Sequence, residues 1–134
     1  MTLDTEIKNV RNVSHYRIGE GAISDLPELL ITLRNHNNQH VIFCIDDFFY
    51  NNNEFLKKLG GIDGDEYIFV PTEEEPSTDY VDNQISKLNN KKFNNPCAVI
   101  GIGGGTTMDI AKAISNLLTN KGKASDYQGW DLVK

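Results

Sequence analysis

Three consecutive glycines, Gly103, Gly104 and Gly105, follow the apolar run Cys97 to Ile102 and lead straight into Thr106-Thr107-Met108-Asp109-Ile110-Ala111-Lys112. Glycine has no Cβ, so backbone there can approach a ligand closely. The first amides of a helix point outward, unpaired, under a favourable dipole. A buried strand entering such a turn, with a helix beginning at or just after Thr106, makes a seat for a diphosphate. The spacing Gly101-x-Gly103-x-x-Thr106 lacks the third glycine of the usual dinucleotide fingerprint, and there is no Gly-Lys-Ser/Thr of a P-loop. A tight strand-to-helix turn without a ligand is the competing reading.

Carboxylates at two places in the chain bear on the same chemistry. Asp109 and Lys112, at i and i+3 within two turns of that helix start, share a face. They are either a solvated ion pair of small energetic value or a border of the ligand cleft. A carboxylate opposes a phosphate at close range, so Asp109 suits a sugar or substrate hydroxyl, or helix positioning. Asp46 and Asp47 follow the apolar run Val41 to Ile45 at once. In a parallel sheet the carboxyl ends of the strands share one edge, so Asp46 and Gly103 should open onto one crevice. There a carboxylate accepts hydrogen bonds from both hydroxyls of an adenosine ribose and repels a 2'-phosphate, which favours NAD over NADP. An ordinary cap for the next helix is the alternative. Pro71 and Thr72 should line the same edge.

The elements that position these residues alternate. A strand is expected over Val13 to Ile18, then a turn at Gly19-Glu20-Gly21 and a helix capped by Ser24 with Leu26, Leu29, Leu30 and Leu33 at helical spacing. A strand Val41 to Ile45, a helix near Asn53 to Leu59 and a strand Tyr67 to Val70 follow. A third helix should begin at Ser77 or Thr78 and present Val81, Ile85 and Leu88. The unbroken run Cys97 to Ile102 suits a strand covered on both faces. Ile110, Ala111, Ile114, Leu117 and Leu118 mark a last helix to about Thr119. Asparagine clusters at 35–38, 51–53, 89–90 and 94–95 punctuate the order. This alternation predicts an α/β fold: a Rossmann-like parallel sheet with helices on both faces.

Composition narrows the partners. The chain has 134 residues, 13 Lys plus Arg against 19 Asp plus Glu, a net charge of -6 and 39% hydrophobic residues. That is near the commonest domain size of roughly 100 to 150 residues, enough for a core without disulfide or metal staples. So few basic residues argue against nucleic acid. No run approaches the ~18 apolar residues of a membrane span and no export signal is visible, so no membrane partner is expected. Cys44 and Cys97 sit in apolar runs and read as small buried hydrophobes in a reducing, cytoplasmic setting.

The segment Gly103 to Lys112 resembles the GGGS-x-x-D-x-A-K motif of the iron-containing (group III) alcohol dehydrogenases. Gly19-Glu20-Gly21-Ala22, the strand ending at Asp46, and Glu75-Pro76-Ser77-Thr78 occur in the order that family shows. The tail from Asn116 to Lys134 looks like the branch that oxidises the 8-hydroxyl of 3-deoxy-D-manno-octulosonate. The resemblance implies a 3-dehydroquinate synthase-like amino-terminal domain that binds NAD, and a helical domain whose Asp and three His hold Fe2+ or Zn2+. Metal would polarise the substrate alcohol while the nicotinamide accepts hydride. By motif position, Gly103, Gly104, Gly105 and Thr106 would hold the diphosphate, Asp46 the ribose, and Asp109 and Lys112 the border of the cleft. Thr106 stands where the family usually has Ser, which keeps the hydroxyl.

No metal ligand or catalytic residue is expected within this chain. His36 and His40 have i, i+4 spacing, but the intervening Asn-Asn-Gln reads as a helix end; His36 is more simply a partner of the helix dipole. The expected organisation is therefore a dinucleotide-binding domain over residues 1–121 and, over 122–134, a truncated tail leading toward a missing metal-binding domain. Such a fragment should be inactive alone, and its bare surfaces should favour a homodimer or higher oligomer. The expected substrate is a small alcohol or a sugar acid. A kinase-type loop is the first competing class, weakened because the Asp of a Gly-Gly-Asp-Gly-Thr signature is missing. A non-catalytic interaction domain, with glycines that merely turn the chain, is the second.

Overall fold

A computed structural model describes residues 14–34, 39–73, 77–93 and 95–119. Its three strands are β1 (Val41–Asp46), β2 (Glu66–Val70) and β3 (Ala98–Ile102), and its helices are α1 (Leu26–Leu33), α2 (Asn53–Lys57), α3 (Thr78–Asn90) and α4 (Gly105–Thr119). Both pairings are parallel and the order is β2-β1-β3, so the most deeply buried strand lies in the middle. Val41 to Ile45 are fully buried, as a central parallel strand covered on both faces requires.

Alternate residues of β1 face two separate cores. Ile42 and Cys44 pack with Val81 and Leu88 of α3 and with Ile110, Ala111, Ile114 and Leu117 of α4. Val41, Phe43 and Ile45 face the opposite way, toward Leu26 and Leu30 of α1, Leu59 beyond α2, and the half-buried Phe55 and Leu56. The sheet is thus Rossmann-like, with helices on both faces. A stacked pair in register, Phe43 on Tyr67 at 4.9 Å between ring centroids, adds cross-strand contact. Burial in this core pushes the Cys44 thiol up to about 12, so it is a neutral, unreactive apolar group. Cys97 is also a free thiol.

Three expectations change. Residues 14–18 form no strand: Tyr16 and Ile18 stay 55% and 82% exposed, and neither sheet edge among the described residues pairs with them. Apolar alternation without a pairing partner does not make a strand. Ser24 does not cap α1. Its hydroxyl donates to the Gly21 carbonyl at 2.7 Å within a 3-10 turn, Ala22–Asp25, and Pro27 stands in the first turn of α1. Strand β3 is partly exposed along its whole length, since only one of its edges is paired among the described residues. Ser77 does cap α3, accepting from the Tyr80 amide at 3.2 Å. Val13, the Asn35 to Asn38 cluster, His36, Glu75-Pro76 and the tail over 122–134 lie outside the described residues.

Asp65 ties the amino end of the sheet together. Its carboxylate is fully buried and accepts two hydrogen bonds from Arg34, at 2.7 and 2.5 Å, one from the Val41 amide at 2.9 Å and one from the Ile62 amide at 2.8 Å. Burial pushes this carboxyl up, but the Arg34 hydrogen bonds and the Val41 and Ile62 amides outweigh it and hold it below the usual carboxylate value. A depressed folded-state value stabilises the fold above the unfolded value of about 3.9, and that contribution disappears as pH falls through the folded value. Asp65→Asn should lose about 3–5 kcal/mol at neutral pH, because it leaves Arg34 uncompensated, and should show a shallower loss below about pH 4 than the parent. Urea unfolding across pH checks both.

A second contact sets the position of α4. A Cβ built on Gly101 would stand 2.9 Å from the Cβ of Ala111 and 3.6 Å from the Cα of Met108. Neither neighbour can swing away, so a larger residue must move the helix off the strand. Gly101→Val should cost about 1–3 kcal/mol in urea unfolding even though valine favours strands, an overpacking cost that outweighs propensity.

Candidate nucleotide site

The two strands that end nearest the glycine turn send their helices to opposite faces. Helix α2 follows β1 on the Phe43 side, and α4 follows β3 on the Ile42 side. Adjacent strands whose connections diverge in this way leave a crevice outside their carboxyl ends. Asp46 and Gly103 meet there: a Cβ on Gly103 would lie 3.0 Å from the Cβ of Asp46. The shared edge expected of parallel strands is therefore observed.

Gly103 adopts a φ of 150°, a conformation L side chains rarely take, and its missing Cβ would also meet Thr107 at 2.9 Å from Oγ1 and 3.0 Å from Cβ. Backbone, Asp46 and Thr107 thus converge with no room for a side chain. Above them the site is open, with nothing within 4 Å of a Cβ on Gly104 or Gly105. Helix α4 begins at Gly105, one residue earlier than expected, and its first backbone bond runs from the Met108 amide to the Gly104 carbonyl at 3.0 Å. The amides that precede it are the unsatisfied donors of a helix start, and no acidic residue occupies the first turn. This donor set is what an anion such as a diphosphate requires.

Asp46 serves its own chain as well. Its Oδ1 accepts from the Phe48 amide at 2.9 Å and caps a 3-10 turn, Asp47–Phe49, while Oδ2 accepts nothing from the described residues. The cap reading and the ligand reading are compatible, because one oxygen holds the carboxylate in place and the other remains available. Phe49 anchors the turn by stacking on Phe55 of α2 at 4.1 Å. Thr72 reaches the same edge, its hydroxyl 3.5 Å from Asp47 Oδ1. Asp109 and Lys112 form an ion pair at 3.7 Å on the outer side of α4, with side chains 78% and 40% exposed, and no interaction joins them to Asp46 or the glycine turn. At that exposure the pair adds little stability.

One residue of the site went unnoticed in the sequence. Thr107 is fully buried, and its Oγ1 has no hydrogen-bond partner. The signal was present: Thr107 heads the stripe Ile110, Ala111, Ile114 and Leu117, so its side chain lies on the buried face. A metal does not fit the described residues, among which no three His, Cys, Asp or Glu side chains stand together. His15 is exposed, and the His40 ring lies edge-on to Phe93 at 5.2 Å. No helix among the described residues is long and apolar enough to cross a membrane.

Comparison with known proteins agrees with this geometry. Residues 14–134 match the family described as iron-containing alcohol dehydrogenase. The chain is 28% identical over 120 residues to an NAD-dependent methanol dehydrogenase of Bacillus methanolicus, covering 87% of this chain and 30% of that protein. It superposes on the crystal structure of an NADH-dependent butanol dehydrogenase from Thermotoga maritima with a TM-score of 0.54 and 25% identity, over 81% of this chain and 27% of the other. The chain therefore spans under a third of the length of these relatives. A glycine turn at the crevice between diverging parallel strands and a family match from Ser14 onward agree: this chain belongs to the iron-containing alcohol dehydrogenase family.

Proposed function

We propose that this chain is the NAD-binding part of an alcohol dehydrogenase. In this reading the helix-start amides from Gly104 to Thr106 hold the diphosphate, Gly103 lets the cofactor backbone pass close, and Asp46 Oδ2 accepts from the adenosine ribose. Asp109 and Lys112, an exposed ion pair further along α4, would border the cofactor or substrate side of the cleft. The observation that carries the reading is the convergence of Gly103 on Asp46, with a Cβ-to-Cβ distance of 3.0 Å, beneath an open helix start. Bound NAD would supply a hydride acceptor; what these residues do is bind, orient and select it. The relatives named as NAD- and NADH-dependent support that cofactor.

The substrate class is a small primary alcohol, for which the methanol and butanol dehydrogenases speak, or a sugar acid, suggested by the tail beyond Asn116. Because the described residues do not fit a metal, activation of the alcohol, by Fe2+ or Zn2+ as the family resemblance implies, belongs to ligands outside them. The share of that activity proposed for the described residues is therefore cofactor binding. A cytoplasmic, self-associating protein agrees with its free cysteines and with exposed Phe48 and Tyr50.

Two variants test the site by calorimetry on the 134-residue chain. Gly104→Asp adds a charge where the structure is open, so it should leave the thermal midpoint unchanged and abolish ADP-ribose binding. Retained binding would remove the diphosphate from the glycine turn. Asp46→Asn keeps an acceptor for the Phe48 amide but loses the charge, and should raise NADP affinity relative to NAD by about tenfold, the equivalent of one relieved like-charge contact. An unchanged ratio would take the ribose away from Asp46.

A further inference from the structure

The buried hydroxyl of Thr107 has no place in the reading above. A fully buried hydroxyl without a partner costs free energy, which a backbone rearrangement that brings it an acceptor would recover. Thr107 Oγ1 lies 2.9 Å from where a Gly103 Cβ would stand, and the same point is 3.0 Å from Asp46 Cβ. It therefore forms the floor between the carboxylate at the end of β1 and the open helix start. A molecule that spans the two passes over it.

Building on the NAD-binding reading, we propose that Thr107 is a positioning residue that locks the glycine turn in its phosphate-holding form. The Gly103–Gly104 peptide carries the Gly103 carbonyl on one side and the Gly104 amide on the other. When the peptide turns its carbonyl down onto the Thr107 hydroxyl, its N–H points up at a phosphoryl oxygen. The hydroxyl gains an acceptor and the phosphate gains a donor in a single motion. Glycine on both sides of the peptide permits the rotation, because glycine accepts backbone angles closed to other residues, as the φ of 150° at Gly103 already shows. Thr107 itself is fully buried at the head of the α4 stripe and need not move. Phosphate affinity thus depends on a hydroxyl that need not touch the phosphate.

The test compares Thr107→Val, which keeps the shape and removes the hydroxyl, with Thr107→Ser, which keeps the hydroxyl. Thr107→Val should hold or raise the thermal midpoint, since it removes an unpaired buried donor, yet weaken ADP-ribose binding about three- to tenfold, the worth of one hydrogen bond. Adenosine, which has no phosphate, should bind both variants and the parent equally. Thr107→Ser should bind ADP-ribose within about twofold of the parent. In the parent protein, amide resonances of Gly103 and Gly104 and the Thr107 methyl should shift with ADP-ribose and not with adenosine, a readout that requires no variant to fold. Equal ADP-ribose affinity in Thr107→Val and the parent would overturn the proposal, as would an equal loss of adenosine or a glycine turn whose resonances ignore ADP-ribose. A parent chain that binds no ADP-ribose would instead overturn the NAD-binding reading on which it rests.

Discussion

Strand β3, the turn after it and helix α4 lie too close together to admit side chains between them. A Cβ at Gly101 would press on Ala111 at 2.9 Å, and one at Gly103 would press on Thr107 at 2.9 Å and on Asp46 at 3.0 Å. Removing those two side chains lets the helix sit down on the sheet, and that seating fixes everything at the carboxyl edge. It places the free amides of α4 beside the end of β1 rather than out in solvent. It buries the apolar stripe of α4 against Ile42 and Cys44. It also traps the Thr107 hydroxyl under the turn. Fold stability and the geometry of the site depend on the same few tenths of an ångström.

The opposite end of β1 is held in another way. At Val41 the strand is anchored by a buried carboxylate with four donors, two from Arg34 and one each from the Val41 and Ile62 amides. Such a pair stabilises mainly because removing either partner strands a charge in the interior. The rigid end is thus built from a closed polar cluster, and the end at Asp46 from glycine backbone and unsatisfied donors. If the Asp46 end receives a ligand as proposed, holding the sheet and binding are separated over a strand only six residues long.

The net charge of -6 is no obstacle to an anion site. In the proposed reading, affinity for a diphosphate would arise locally, from the dipole and amides of one helix start with no acidic residue in its first turn. Asp46, whose Cβ lies 3.0 Å from the Gly103 Cβ position, is oriented by the hydrogen bond that it accepts from the Phe48 amide, on a turn anchored by the stack of Phe49 on Phe55. In the proposed reading that carboxylate meets a ribose rather than a phosphate.

Much of this was legible in the sequence. The apolar run entering three glycines, the stripe of α4, the Ser77 cap and the parallel α/β class all follow from local pattern. So does the meeting of Asp46 with Gly103, because parallel strands share a carboxyl edge. The strand expected at Val13 to Ile18 and the cap expected from Ser24 failed for one reason: pairing and capping are decided by what stands opposite, and periodicity does not contain the partner. The order β2-β1-β3, the buried Asp65 clamp and the unpaired Thr107 hydroxyl were likewise beyond local reading. By itself the sequence determined which residues could bend, cap and bind. Only the tertiary structure decided which of them share a wall, because close approach between segments more than fifty residues apart depends on the packing of helices against a sheet.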